Sequence, residues 1–151
     1  MTAPISVLEL VRLSEVKPEP INWLWPGRIP KGKITLIAGH PGLGKSQVTV
    51  SIAAIVSSGG IWPVDEMPAD VGNVLILSAE DGIADTIKPR LLAAGADTNR
   101  IEAIEAVREG DQRFPFSLER DLELLRDTEA SLLIVDPLAA YMGGVDSHKD
   151  A

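Results

Sequence analysis

Gly39-His40-Pro41-Gly42-Leu43-Gly44-Lys45-Ser46 fits the pattern G-x-x-x-x-G-K-[ST], a loop suited to holding phosphate. Its glycines let the backbone wrap with N–H groups pointing inward, which makes an anion nest. A helix opening near Gly44 adds the positive end of its dipole. Lys45 offers a point charge for β- and γ-phosphates, and the Ser46 hydroxyl is a hard ligand for Mg²⁺. Gln47 adds a backbone N–H toward an α-phosphate. The competing reading is a chance glycine turn. Against it, an apolar run precedes the loop and a periodic segment follows, the strand–loop–helix context that the pattern requires.

Two carboxylates extend this chemistry. Asp136 ends the apolar run "LLIVD" and resembles the Walker B acid that holds Mg²⁺ through water. A strand ending in Asp-Pro is otherwise often a simple turn. Glu80 stands at the tip of "NVLILSAED", where a carboxylate is costly unless solvated or paired. Facing a γ-phosphate, Glu80 would polarise the attacking water. Two alternatives stay open: Glu80 caps the following helix, or Asp81 is the functional acid.

The elements that must position these groups follow from periodicity. Lys33–Ala38 reads as a continuous apolar strand and Gly44–Ser57 as a helix stopped by Ser58-Gly59-Gly60. Residues 61–72 read as a loop, and Asn73–Ser78 as a second buried strand. Thr86–Ala94 is expected as a helix with Pro89 in its first turn and Gly95 at its end. Ile101–Ile104 is a short third strand, residues 105–116 a loop, Ser117–Asp127 an amphipathic helix and Ser131–Val135 a fourth strand. Strands alternating with helices predict an α/β fold with a mostly parallel sheet. Near-continuous apolar strands predict cover on both faces. Ligands of such sheets bind at the carboxyl ends of the strands, where the glycine loop, "SAED" and "VDP" all fall.

Residues 1–32 are expected to form an N-terminal arm packed on a core of residues 33–151. Ser6 to Glu9 could be a capping box, and Leu8–Leu13 equally an edge strand. "KPEPINWLWPGRIPKGK" holds four prolines and two glycines and reads as an extended, turn-rich arm. Trp23 and Trp25 are expected to pack this arm on the core rather than bind a ligand.

The chain of 151 residues has the size of one domain, with 45% hydrophobic residues and no low-complexity tract. Its apolar runs are too short to span a membrane, and no signal-peptide pattern opens it. The absence of cysteine excludes disulfides and thiolate metal sites and fits a cytoplasmic protein. A net charge of −8 argues against a broad nucleic-acid-gripping face, so any such contact is local.

With the loop, Glu80 and Asp136 in this order, the chain resembles the RecA-like ATPases. It is most similar to the branch of RepA-type hexameric helicases and AAA family ATPases of plasmids, phages and mobile elements. "WLWPGRIPKGKITLIAGHPGLGKS", "GNVLILSAEDGIADTIKPRLLAAGAD" and "LLIVDPLAAYMG" carry the resemblance, together covering about 120 residues. The resemblance implies ATP and Mg²⁺ as ligands, Lys45 and Ser46 in the phosphate-loop roles, Glu80 as catalytic glutamate and Asp136 as Walker B aspartate. It sets Arg90 against the adenine, although a surface helix arginine is the ordinary alternative. It also implies a homo-hexamer, with single-stranded DNA held mainly by regions after Walker B. A γ-phosphate sensor strand and an arginine finger belong to that later part, so the chain reads as the N-terminal part of such a core. The expected strand order is third, second, fourth, gap, first. A gap would leave two apolar edges exposed, and the tail beyond Met142 is too rich in Gly, Asp and Lys to fill it.

Two other functions compete with an ATP-hydrolysing motor. One is a nucleotide-binding regulatory or scaffolding module without turnover. The other is a small-molecule kinase, which this chain's lack of an arginine-rich lid disfavours.

Overall fold

The computed structural model describes residues 8–142. The capping box from Ser6 and the tail beyond Met142 lie outside the described residues. In the arm, residues 8–12 form neither helix nor strand, and a single 3-10 turn spans Leu13–Glu15. Beyond it, β1 (Trp23–Trp25) pairs antiparallel with β2 (Ile29–Pro30).

The helix α1 (Lys45–Ser58) then follows the glycine loop. Its bounds sit within one residue of expectation because local chemistry sets both ends. The Gly59 N–H closes the last turn on the Ile55 carbonyl. The strand β3 (Asn73–Ser78) matches its apolar run residue for residue. The next helix begins differently: a π-helical turn over Ile83–Ile87 leads into α2 (Lys88–Ala93). Pro89 has no N–H to return to residue 85, and the Ile87 N–H reaches back to the Gly82 carbonyl at 2.9 Å.

After β4 (Ile101–Ala103), the expected loop contains a hairpin, β5 (Val107–Glu109) with β6 (Gln112–Phe114). Its two-residue Gly110-Asp111 connection is a known hairpin signal. The expected helix at 117–127 is split into α3 (Leu118–Asp121) and a 3-10 stretch over Leu122–Asp127. β7 (Ala130–Asp136) completes the chain's regular strands among the described residues.

The central sheet has the order β4-β3-β7, all parallel. This is the expected third–second–fourth order. On one face Val74, Ile76 and Ile134 pack with Val50, Ala53 and Val56 of α1 and Leu91 of α2. On the other, Leu77, Leu133 and Val135 pack with Val107, Phe116 and Leu118. Both faces are therefore covered, one of them by a hairpin as well as helical turns.

The first expected strand is missing. Lys33–Ala38 is not a strand; it pairs with no described residue, and Ile34 is 95% exposed and Leu36 71%. An apolar run becomes a strand only when a neighbour takes its backbone bonds, and none of the described strands lies beside it.

The arm is tied down by an aromatic stack. Trp25 lies on Trp62 with centroids 4.8 Å apart and planes at 7°. The Trp25 indole N–H donates to Asp65 at 3.0 Å, and Arg28 covers the ring while pairing with the same carboxylate. Trp62 is buried, whereas Trp23 stays exposed. Trp25 packs as expected; its partner comes from a segment read only as loop.

Candidate nucleotide site

The glycine loop has the backbone its sequence requires. Gly42 and Gly44 have φ of 79° and 82°, the left-handed region where a side chain is strained. No side chain caps α1, so no capping group occupies the free N–H groups of its first turn. Lys45 folds back over the loop and donates to the carbonyls of Gly39 at 2.8 Å and His40 at 3.0 Å. Its ammonium is thus held within the loop by two backbone carbonyls. His40, Pro41 and Leu43 are exposed, and Gln47 lies in the first turn of α1.

Ser46 leads from this loop to the sheet. With Ser78, Asp81 and Asp136 it lines a cleft of ≈ 20 Å³, room for one water-sized body. The two strand tips are locked together. Ser78 is in register with Asp136, and the Ala79 N–H donates to the Asp136 carbonyl at 3.1 Å. The donors are all oxygen, as a hard cation prefers. Among the described residues no three His, Cys, Asp or Glu side chains gather into a metal-binding group. Ser46 and Asp136 fit Mg²⁺ of the kind completed by waters and ligand phosphates, and do not fit an all-protein metal cage.

Glu80 lies elsewhere. It is exposed at the end of β3 and does not line the cleft, while its neighbour Asp81 does. Asp81 accepts a hydrogen bond from Arg90 at 2.8 Å. Arg90 reaches the cleft from α2 and also lines an adjoining open groove of ≈ 360 Å³ between α1 and α2. Gln47, Ser51 and Ile55 form the α1 side of that groove. The structure brings Ser46, Asp81, Arg90 and Asp136 to one cleft at the carboxyl edge of the sheet, whereas residues 39–45 of the loop and Glu80 do not line it. The Asp81–Arg90 pair escaped sequence reasoning. Opposite charges nine residues apart give no helical-face signal when a π turn intervenes.

The family model described as an AAA domain matches residues 3–151, and the chain belongs to that family. Membership places it among nucleotide-binding and nucleotide-hydrolysing domains, which accords with the glycine loop. No curated protein and no solved structure matches the chain. No helix among the described residues is long and apolar enough to cross a membrane.

Proposed function

We propose that the chain is a Mg²⁺-dependent ATPase with a RecA-like core of the replicative-helicase type. The observation that supports this most is that Ser46, at the end of the 39–46 loop, and Asp136 line one cleft on the sheet's carboxyl edge. In this reading, the loop N–H groups and Lys45 hold the β- and γ-phosphates, and the Gln47 N–H approaches the α-phosphate. Lys45 exchanges the Gly39 and His40 carbonyls for phosphate oxygens. Ser46 and Asp136 hold Mg²⁺, which when bound offsets phosphate charge. Glu80 orients and polarises the attacking water, and Arg90 flanks the adenine. Glu80 suits that role better than Asp81, whose carboxylate is engaged by Arg90. Among the described residues, no side chain bonds to the Glu80 carboxylate. A cytoplasmic homo-hexamer acting on single-stranded DNA belongs to this reading and rests on the resemblance alone.

The second reading is a nucleotide-binding module without turnover. The unpaired Ile34–Ala38 segment favours it, because a loop held loosely at its entry positions a γ-phosphate poorly. Calorimetric titration with Mg·ATP, followed by turnover with and without single-stranded DNA, separates the readings. Binding with DNA-stimulated hydrolysis supports the motor. Binding without hydrolysis supports the module, and no binding overturns both.

A further inference from the structure

We propose that Asp81 is a positioning residue for nucleoside recognition, acting through Arg90. The inference rests on the nucleotide-binding reading of the 39–46 loop and deepens it. Arg90 is the third residue of α2, on a surface where an arginine side chain ordinarily samples many rotamers. Here one Nη1–Oδ2 contact of 2.8 Å to Asp81 fixes it in the wall shared by the small cleft and the α1–α2 groove. Asp81 engages an edge of the guanidinium, which leaves the planar face available to a planar ring.

The groove is the right neighbour for that face. At ≈ 360 Å³ it falls in the range of small-molecule sites. It starts at Gln47, directly after the phosphate loop, so a ligand whose phosphates occupy the nest would continue into it. Ser51 and Ile55 line its floor one and two turns further along α1. The pair is partly exposed, with side chains 42% and 34% accessible, so it contributes little to holding the fold. Its consequence is the direction in which Arg90 points.

The test compares two probes, Mg·ATP and Mg·tripolyphosphate, titrated calorimetrically into the whole chain. Tripolyphosphate offers the phosphate end without a nucleoside. Asp81→Asn is expected to weaken ATP about five- to twentyfold and to leave tripolyphosphate within about twofold. Arg90→Ala is expected to do the same, and the double variant to be no worse than Arg90→Ala alone. The melting temperature of Asp81→Asn should move by less than about 4 °C. A merely structural role would shift the melting temperature without changing the ratio of the two affinities. Equal weakening of both probes, or of neither, overturns the inference while leaving the phosphate loop intact. Unchanged binding of both probes by Lys45→Ala would instead overturn the phosphate-loop reading, and this inference with it.

Discussion

Lys45 donates to two carbonyls of its own loop, at 2.8 and 3.0 Å, so its ammonium is held against the loop that the proposed function gives to phosphate. Replacing it by Ala removes a charge-assisted contact worth roughly 1.5–3 kcal/mol, about ten- to a hundredfold in ATP affinity. Calorimetry checks this, and parental affinity in the variant would refute the assignment. Glu80 presents the opposite case. It stands outside the cleft, so it should contribute little to holding the nucleotide. Glu80→Gln is expected to bind ATP with near-parental affinity and to lose roughly 10²–10⁴ in kcat. An unchanged kcat would move the water-activating role away from Glu80. Lys45, Ser46 and Asp136 could be proposed from the sequence because each stands in a short-range pattern. The ion pair of Asp81 with Arg90 depends on how α2 swings back over the sheet, which no local pattern encodes.

At the scale of elements, legibility followed the source of each element's stability. α1 has its glycine boundaries in the sequence, and β3 is a run of four apolar residues flanked by Asn73 and Ser78. Both could be read directly. The β5–β6 hairpin could have been found from Gly110-Asp111, but its strands are three residues each and mostly exposed, which hides the period. α3 shows a different control. Asp121 is 4% exposed and accepts from the Ser117 N–H at 2.8 Å and from Arg120 at 2.7 Å. The Arg120 hydrogen bond, aided by the Ser117 N–H, holds the carboxyl below its usual range against the opposing effect of burial. The folded-state pKa is therefore lowered relative to about 3.9 in the unfolded chain. Its stabilising contribution is present above that value and is lost as pH falls through the lower folded value. Asp121→Asn is accordingly expected to lower the urea midpoint at pH 7. The gap from the parent should close as pH drops below about 4. A gap independent of pH would show that packing rather than charge holds this turn.

At the scale of the molecule, the sheet ends on β7, whose outer edge is unpaired among the described residues. The apolar segment Ile34–Ala38 is also unpaired and leads directly into the phosphate loop. An open strand edge and an unpaired apolar segment together invite association between copies. The magnitude can be bounded. Burying Ile34 and Leu36 yields roughly 1.5–3 kcal/mol each. Association costs about 4–15 kcal/mol in lost freedom. Together, at about 3–6 kcal/mol, the side chains reach only the low end of that cost, so the backbone bonds of a new ladder must add to them and the association should be weak. Sedimentation velocity across a concentration series is expected to show mass rising with concentration. The double variant Ile34→Lys with Leu36→Lys should remain monomeric over the same range, because two lysines facing an incoming strand oppose pairing. Neither residue lines the cleft or the groove, so the variant's affinity for Mg·ATP should stay within about threefold of the parent, under 1 kcal/mol. A monomeric parent, or a variant that associates as strongly, would show that Ile34 and Leu36 do not mediate association between copies.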